Sequence, residues 1–298
     1  MRNAMSDTER IQVCAVVVSY KPSQDLVHNV QSALSQLAHV IIVDNTPTEE
    51  IPEALTYLER EPSCTILRQG ANLGIATALN LGIRHALAAG FLWVITLDQD
   101  SWMRDGYVEE MLSAYRRAAA SKRVGMVCPR YQDELLGIPD VAPRSKNGEV
   151  FVCITSGALI PAETFHAVGS LEDDFFIDSV DHEYCLRLRA AGLQILECPT
   201  AILVHSLGRI GKYKLLRRHY YTTNHNARRR YYITRNRLVL MKRYFFRDRE
   251  WTAFDGKRML RETALIFMFE KDRLSKAKFM VLGFWDAIFN RLGQRVAL

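Results

Sequence analysis

The sequence predicts an α/β protein with a mostly parallel central sheet, helices on both faces of that sheet, and a basic, mainly helical C-terminal region. Short apolar, β-branched runs alternate with runs of helical periodicity through most of the chain, as in sheets built with crossover helices. From Met1 to Val204 there are 16 Lys and Arg against 26 Asp and Glu, whereas from His205 to Leu298 there are 23 against 7. This asymmetry predicts an anionic partner for the C-terminal region, such as a diphosphate, a membrane surface or a nucleic acid.

The strands are predicted from runs of β-branched and apolar residues, which pack well on a pleated surface. In chain order, these runs are Val13 to Ser19, "HVIIVDN" with its strand ending at Asp44, "CTIL", "WVITL" up to Asp98, "VGMVCP", "VFVCITSGALIPAETF" and "ILECPTAILVHSLG". We expect Gln132 to Glu149, which is rich in Pro, Gly and charge, to form a loop between two halves of the fold. Because ligands gather at the carboxyl ends of parallel strands, Ser19, Asp44 and Asp98 are expected at one binding edge.

The helices are predicted from apolar residues spaced three or four positions apart. The stripes that indicate them are Leu26, Val30, Leu34 and Leu37; Ile75, Leu79, Ile83 and Leu87; Tyr107, Met111 and Tyr115; and Tyr184, Leu188 and Ala191. Ser23 is suited to begin the first of these helices and Gly192 to end the last. In the basic region we expect helices around Tyr231 to Phe245, Met259 to Phe269 and Lys276 to Leu292.

Length and composition are those of a globular protein with one large core or two modest domains. The chain has 298 residues, of which 48% are hydrophobic and 24% charged, as in ordinary globular domains. Its longest uncharged runs are too short for a membrane-spanning helix. The polar start, "MRNAMSDTERIQ", lacks the apolar run of a secretory signal, and six cysteines without a CxxC pair indicate reduced core thiols. These features predict a cytoplasmic protein.

Two carboxylates, Asp98 and Asp100, follow directly on the strand "WVITL". Because such groups repel each other, we expect a metal ion, an Arg or Lys, or water beside them. A hard divalent cation takes carboxylate oxygens and keeps positions for phosphate oxygens, so this pattern favours a nucleotide site. Phosphatases of the haloacid dehalogenase class also place Asp-x-Asp after a strand, but normally the first strand, with Thr or Val following. Here the pair follows the fourth predicted strand, and Ser101 and Trp102 come next.

Several motifs together carry more information than any one of them. In chain order they are "VVVSYKP", "VIIVDN", "NLGIATALNLGI", "ITLDQDS", "SGALI", "FFIDSVDHEYCLRLRAAG" and "VHSLG". This order resembles that of the family-2 glycosyltransferases of GT-A fold, from about Val13 to Gly208. Within that family, "DNTP", "LDQDS" and "FFIDSVDHEYCLR" are most similar to bacterial rhamnosyltransferases that use dTDP-L-rhamnose. The stretch "RRRYYITRNRL", Arg228 to Leu238, is similar to the segment that follows the core in those enzymes.

The resemblance implies a pocket for the donor nucleotide. Its implied members are Ser19, Tyr20, Asp44, Asn72, Gly74, Asn80 and Asp98. Ser19 and Tyr20 would line the base pocket and Asp44 would contact the base or ribose. The loop of Asn72 and Gly74 would lie near the nucleotide, supported by Asn80 from the following helix. Simpler roles remain open, because Asp44 is also suited to form a turn and Gly74 to be a turn glycine without ligand contact.

The resemblance also implies a divalent metal, Mg²⁺ or Mn²⁺, bridging the two phosphates. Asp98 would approach the ribose and the metal, Asp100 would ligate the metal, and His205 lies where some relatives add a metal or diphosphate contact. An ordinary hydrogen-bonded histidine is the alternative for His205. In the basic region, Arg235 is implied to reach the donor diphosphate or the acceptor.

Asp181 matches the position of the catalytic base, ahead of "CLR". Many relatives have Glu-Asp here, whereas this chain has Val180-Asp181, so Asp178 and Glu183 compete for the role. Carboxylates at this point could also simply stabilise the N-terminus of a helix. With one base and no second nucleophile, the sequence favours direct displacement with inversion.

The resemblance therefore implies an inverting rhamnosyltransferase that transfers L-rhamnose from dTDP-β-L-rhamnose to a glycan or glycolipid, which could be lipid-linked. We expect a catalytic domain at residues 1–208 and a basic helical region at residues 209–298. Alternatives are another donor such as a UDP-hexose, or a non-catalytic nucleotide-sugar-binding scaffold. A stripe of Leu282, Trp285, Phe289 and Leu292 suits peripheral attachment to the inner face of the cytoplasmic membrane, or packing against this domain or a second copy as a homodimer. No nucleic-acid-binding motif accompanies the basic residues, so nucleic acid is not an expected partner.

Overall fold

The computed structural model describes residues 12–48, 50–133, 139–140, 142–205, 211–215 and 218–297. Its contacts divide the chain into two compact units, Met1–Asp173 with Asp181–Ser206, and Asp174–Val180 with Leu207–Leu298. The expected boundary at residue 208, the end of the "VHSLG" motif and most of the polar N-terminal segment lie outside the described residues. The boundary therefore stays a prediction. The sequence did not predict that Asp174–Val180 groups with the C-terminal unit.

The first unit is built on a mixed, mostly parallel sheet. Its strands are β1 (Val13–Ser19), β2 (His39–Asp44), β3 (Cys64–Arg68), β4 (Trp93–Asp98), β5 (Ser101–Met103), β6 (Val124–Asp133), β7 (Pro139–Asp140), β8 (Leu159–Pro161) and β9 (Gln194–His205). Hydrogen bonds connect them in the order β3-β2-β1-β4-β8-β6-β9-β5, with β7 beside β6. The pairs β1–β2, β1–β4, β2–β3 and β6–β9 are parallel, whereas β5, β7 and β8 pair in antiparallel fashion. The predicted α/β class is confirmed.

Helices pack on both faces of this sheet. They are α1 (Asp25–Leu34), α2 (Glu53–Leu58), α3 (Ile75–Ala88), α4 (Tyr107–Ala119), α5 (Ala162–Val168) and α6 (Val180–Ala190). Alternate residues of β1 point to opposite faces, and Val13, Ala15 and Val17 join a core cluster with residues of α1, α2 and α4. Val16 points to the other face, where a Cβ on Gly82 of α3 would lie 2.3 Å from its Cγ1. Only glycine therefore allows α3 this close approach.

The C-terminal unit is mainly helical, as the sequence predicts. Its elements are the hairpin of β10 (Gly211–Leu215) and β11 (Arg218–Thr222), followed by α7 (Ala227–Tyr244), α8 (Arg249–Phe269) and α9 (Arg273–Ile288). Buried ion pairs link these helices. Arg237 of α7 lies 2.8 Å from Asp255 of α8, and Glu270 lies 3.0 Å from Arg230 and 2.7 Å from Lys276. Within the described ranges, no helix has both the length and the apolar composition required to cross a bilayer.

Some expected elements differ in extent. Of "VFVCITSGALIPAETF", only Leu159–Pro161 is one of the strands, and a helix begins at Ala162. Gly157, in the Ser-Gly pair where the sequence indicates a turn, has φ 81°. The expected loop from Gln132 onwards contains the end of β6 and the short strand β7, while residues 134–138 and 141 lie outside the described residues. Helix α8 begins at Arg249, well before the expected Met259, because the side chain of Asp248 caps it by accepting from a backbone N–H.

Candidate active site

The carboxyl ends of β1, β2 and β4 lie side by side at one edge of the sheet. The strand register pairs Ser19 with Asp44 and Val18 with Asp98. The Ser19 hydroxyl donates to Asp44 Oδ1 at 2.9 Å, and the Thr46 hydroxyl donates to the same oxygen at 2.7 Å. Ser19 and Asp44 are buried. The two hydroxyls fix the orientation of the Asp44 carboxylate, so this edge carries a positioned hydrogen-bond acceptor.

The end of β1 is tied to the Asp-x-Asp turn through Gln99, which lies between Asp98 and Asp100. The backbone N–H of the exposed Tyr20 donates to Gln99 Oε1 at 2.8 Å. The backbone oxygen of Gln99 accepts from Asn29 Nδ2 at the same distance. Sequence reasoning gave no role to Gln99 or Asn29, although the position of Gln99 between two candidate ligands was a signal. These bonds hold the turn in a defined conformation at the sheet edge.

The loop before α3 is held by short polar contacts. Gly74 has φ 84°, in the left-handed region that favours glycine. Its N–H donates to Asn72 Oδ1 at 3.1 Å, and its carbonyl oxygen accepts from Asn45 Nδ2 at 3.0 Å. The loop is thereby connected to the end of β2. The remaining side-chain atom, Asn45 Oδ1, is buried and has no hydrogen-bond partner among the described residues. A buried acceptor of this kind is suited to a ligand donor, and sequence reasoning missed it.

Asn80 is fully engaged in structural contacts. Its Nδ2 donates to the Leu171 carbonyl oxygen at 2.9 Å and to Asp173 Oδ1 at 2.8 Å, and its Oδ1 accepts from the Leu171 N–H at 2.9 Å. The side chain is buried. We therefore correct the expectation for this residue. Asn80 anchors the segment Leu171–Asp173 to α3, and its polar atoms are directed at protein groups rather than at a nucleotide.

Asp98, Asp100 and His205 form a candidate metal centre. Each offers one ligand atom, and these three atoms all lie within 4.8 Å of one another. Two carboxylates and one imidazole nitrogen fit Mn²⁺, and fit Mg²⁺ when waters or phosphate oxygens complete the coordination. The Asp100 side chain is 48% exposed, so a cation held here would be accessible to a ligand from solvent. The residues expected at the metal site are thus brought together by the fold.

Strand pairing explains why His205 reaches this turn. β5 runs antiparallel to β9, and Ser101 is in register with His205. The Ser101 hydroxyl lies 2.8 Å from His205 Nδ1 and 3.0 Å from the Ser156 hydroxyl, while the Asp98 N–H donates to Ser156 Oγ at 3.0 Å. His205 is therefore also a hydrogen-bonded histidine, the alternative role that the sequence left open. Ser156 joins both sides of the centre, and its only sequence signal was its place in "TSGALI".

The buried phenol of Tyr107 supports the Ser156-Gly157 segment. Burial raises the pKa of Tyr107 well above its ordinary value, so its hydroxyl stays protonated and donates to the Gly157 carbonyl oxygen at 2.5 Å. The N–H of Gly157 donates to the Thr96 carbonyl oxygen at 2.5 Å. A Cβ on Gly157 would lie 2.6 Å from the Tyr107 hydroxyl. The glycine after Ser156 is therefore required by close packing.

The three carboxylates considered for the base have different environments. Glu183 is buried in a bidentate ion pair with Arg187, with bonds of 3.1 and 2.5 Å. In the C-terminal unit, Asp178 pairs with Arg229 through bonds of 3.0 to 3.3 Å. Asp181, on the first turn of α6, accepts from the neighbouring backbone N–H of His182 at 2.8 Å. Two of the three candidates are thus neutralised by arginine, and Asp181 is held only by a local backbone contact among the described bonds.

Arg235 is not placed for ligand contact, and this expectation is corrected. The residue is fully buried in the C-terminal unit. Its guanidinium donates to Asn236 Oδ1 at 2.8 Å, to the Gly293 carbonyl oxygen at 2.6 Å, and to the carbonyl oxygens of Asp174 and Phe175 at 3.3 and 3.2 Å. All three nitrogens are therefore bound to protein groups. Arg235 organises the unit from inside instead of reaching a donor diphosphate.

Sequence comparison gives the family of a chain with this fold, these strand-end carboxylates and this Asp-x-Asp turn. The sequence model of glycosyl transferase family 2 matches residues 14–164. The chain belongs to this family. It is 29% identical over 212 residues to the dTDP-rhamnosyl transferase RfbF of Shigella flexneri, covering 66% of this chain and 69% of that protein. It is 30% identical over 217 residues to the galactofuranosyltransferase GlfT1 of Mycolicibacterium smegmatis, covering 66% and 71%. These relatives identify the chain as a hexosyltransferase.

Solved structures show the same fold. The chain superposes on Staphylococcus aureus TarS 1-349 in complex with UDP-GlcNAc with a TM-score of 0.62 at 10% identity, covering 93% of this chain and 81% of that one. It superposes on GalNAc-T7 with UDP, GalNAc and Mn²⁺ with a TM-score of 0.60 at 12% identity, covering 95% and 58%. At these identities the likeness concerns the fold alone. The predicted GT-A fold is confirmed.

Proposed function

We propose that this protein is a metal-dependent, inverting rhamnosyltransferase. It transfers L-rhamnose from dTDP-β-L-rhamnose to a hydroxyl of a bacterial surface polysaccharide or glycolipid. The observation that carries the proposal is the Asp98–Asp100–His205 centre at the end of β4. It occurs in a chain whose similarity to a dTDP-rhamnosyl transferase extends over 212 residues. Donor, stereochemistry and metal are each open to test.

The centre fits a divalent cation by the chemistry of its ligand set. Asp98 and Asp100 would hold the ion through carboxylate oxygens, and His205 would add its ring nitrogen. Mg²⁺ or Mn²⁺ bound there would neutralise the charge that develops on the leaving diphosphate. The Asp98 N–H donates to the Ser156 hydroxyl, and a hydrogen bond joins the Ser101 hydroxyl to His205 Nδ1; these bonds hold the groups in place. Such fixed geometry lowers the reorganisation needed during the reaction.

The protein supplies acid–base chemistry through Asp181 in this proposal. Its carboxylate would take the proton from the acceptor hydroxyl as that oxygen attacks the anomeric carbon. The bond between the anomeric carbon and the diphosphate oxygen breaks as the new glycosidic bond forms, so one displacement inverts the configuration. From a β-linked donor the product is an α-L-rhamnoside. Glu183 stays second, because both of its carboxylate oxygens accept hydrogen bonds from the Arg187 guanidinium.

The donor pocket in this proposal is formed by the ends of β1 and β2. The oriented carboxylate of Asp44 and the buried Oδ1 of Asn45 would accept from the base or ribose. The exposed ring of Tyr20 would stack on the base. The loop of Asn72 and Gly74 would close against the nucleotide. The structure offers no role of this kind to Asn80.

A second donor is favoured by one specific observation. Identity to a galactofuranosyltransferase is 30%, as high as that to the rhamnosyl transferase. Sequence similarity therefore does not separate rhamnose from a UDP-hexose. A non-catalytic scaffold is less well supported, because it has no need of two positioned aspartates and a histidine on strands far apart in sequence.

The deciding experiment is a donor panel assayed by release of nucleoside diphosphate, with Mn²⁺, with Mg²⁺ and with chelator. We expect turnover of dTDP-L-rhamnose with metal and little without it. Preference for a UDP-hexose would overturn the rhamnosyl assignment and leave the fold assignment intact. NMR of the product gives the anomeric configuration, and a β-linked product would exclude inversion. Absence of turnover with every donor and acceptor would favour the scaffold.

A further inference from the structure

Helix α9 carries an apolar face that lies in solvent. Its residues recur at helical spacing on one side, and all are exposed. The members are Leu274, Val281, Leu282, Trp285, Ile288 and Phe289. Leu274 is 88% and Trp285 52% exposed. Trp285 stacks on Phe289 with ring centroids 6.2 Å apart. We call this set the α9 apolar face. Its members from Val281 to Phe289 form a cluster, unlike the singly scattered apolar residues of an ordinary surface.

The opposite side of α9 holds the helix in the C-terminal unit. Lys276 is buried against Glu270 at 2.7 Å, and Ala287 is buried. A Cβ on Gly283 would lie 2.5 Å from the Tyr231 carbonyl oxygen of α7. The backbones of the two helices therefore approach closely on the side away from the α9 apolar face. That face is consequently not used by the core of its own unit.

Cations lie in and beside the α9 apolar face. Lys278 is exposed and by helical spacing lies within the face, four residues after Leu274 and three before Val281. Arg291 is exposed just beyond the end of the face, and its guanidinium lies over the Phe289 ring at 5.2 Å from its centroid. Arg291 and Arg295 each approach Asp286 only at 3.8 Å. Such long, exposed ion pairs hold a side chain weakly. The guanidinium groups are therefore able to turn toward an anionic surface next to the aromatic rings.

We propose that the α9 apolar face docks on an anionic lipid bilayer, with the helix lying in the interface. The positive charge of the C-terminal region favours an anionic bilayer over a second copy of this chain. The chain from His205 onwards has 23 Lys and Arg against 7 Asp and Glu, so two copies facing each other here would repel. Anionic headgroups would instead meet Lys278 and Arg291 while Trp285 and Phe289 enter the acyl boundary, which is the usual arrangement of interfacial helices. No helix among the described residues spans a bilayer.

Flotation of the full-length protein with vesicles tests the proposal. We expect binding to vesicles of phosphatidylcholine and phosphatidylglycerol, weak binding to phosphatidylcholine alone, and release by high salt. The double variant Trp285→Glu/Phe289→Glu should lower the bound fraction about tenfold or more. Lys278→Glu/Arg291→Glu should abolish the preference for anionic vesicles. The control Ile51→Glu/Tyr57→Glu changes two similarly exposed apolar residues of the first unit and should bind like the wild type.

Equal vesicle binding by the wild type and the α9 variants would overturn the proposal, and so would failure of the wild type to bind. Light scattering measures whether the protein is a monomer or a dimer, which tests whether a second copy covers the face. If the wild type is a dimer, the α9 variants are monomers and neither binds vesicles, a second copy covers the face and the proposal is wrong. Circular dichroism and Tm of the variants should match the wild type, because the changed side chains are in solvent. Turnover with a water-soluble acceptor should persist, so failure here is separate from failure of the proposed reaction.

Discussion

The imidazole Nδ1 of His205 lies 3.3 Å from Asp100 Oδ1, although the two residues are far apart in the chain. The contact arises because Ser101, the neighbour of Asp100, pairs with His205 across β5 and β9. One strand pair thus delivers an imidazole to the Asp-x-Asp turn. Because the Asp100 carboxylate is exposed, its substitution can test the proposed metal binding without disturbing the fold.

Asp100→Asn should lower turnover at least about a hundredfold, because a neutral amide is a poor ligand for a hard cation. Since the side chain is nearly half exposed, the Tm should change little. Nucleoside diphosphate release at saturating donor, over a titration of Mn²⁺, measures the effect. Asp105→Asn, which changes an exposed acid in the turn between β5 and α4, should keep wild-type activity. Unchanged turnover of Asp100→Asn would leave the metal proposal without support.

Asp181→Asn and Glu183→Gln should separate the base from a structural carboxylate. We expect Asp181→Asn to lower kcat about a thousandfold with little change in the KM for the donor, because proton removal occurs only in the transition state. Glu183→Gln should instead lower the free energy of unfolding by about 1–3 kcal/mol, since it breaks the ion pair with Arg187. Kinetics and urea denaturation of both variants give the comparison. A large loss of kcat for Glu183→Gln at unchanged stability would assign the catalytic base to Glu183 instead of Asp181.

The sequence predicts those parts of the fold and site that depend on local pattern. The β-branched run of β1 ends at Ser19 as expected, and parallel strands bring Ser19, Asp44 and Asp98 to one edge. These features need only alternation, strand propensity and the rule for the carboxyl ends of parallel strands. Residue types and their spacing therefore locate the edge of the sheet that carries the candidate site, and the family resemblance adds its other members.

Contacts between distant segments are what the sequence could not give. The short strand β5 exists through its pairing with β9, and three residues carry too little pattern to predict it. Ser156 joins the centre through two hydrogen bonds whose partners lie more than fifty positions away. The resemblance implied a ligand contact for Arg235, whereas its guanidinium is buried and donates to carbonyl oxygens of remote segments. Hydrogen bonds between segments far apart in the chain therefore determine the positions of β5, Ser156 and Arg235.

Asn236→Ala should destabilise the C-terminal unit by about 2–4 kcal/mol, since the carbonyl oxygens of Ile177 and Asp178 lose this donor, while that of Phe175 keeps the Arg235 guanidinium. The Nδ2 group donates to the carbonyl oxygens of Phe175, Ile177 and Asp178 at 2.8 to 2.9 Å. These bonds hold a segment in which Phe176 and Asp178 have φ near 63°, a strained conformation for such residues. Urea denaturation followed by tryptophan fluorescence measures the change.

The matched control for Asn236→Ala is Asn147→Ala, because Asn147 is exposed. That substitution should stay within about 0.5 kcal/mol of the wild type. An equally small effect of Asn236→Ala would show that the bonds to the 175–178 segment contribute little, and that other contacts maintain its left-handed residues.

His225 should make the stability of the C-terminal unit depend on pH. Burial, and then the Arg229 guanidinium, lowers the pKa of His225 from 6.5 to about 4; Arg230 acts in the same direction, while Asp178 and Glu270 oppose it. Between these two pKa values the unfolded chain binds more protons than the folded one, so stability is complete above about pH 6.5 and falls as the pH drops toward 4. We expect the wild type to lose about 1–2 kcal/mol more than His225→Gln between pH 7 and pH 5. Urea denaturation of both proteins at each pH measures this difference, and equal losses would mean that folding does not lower the pKa of His225.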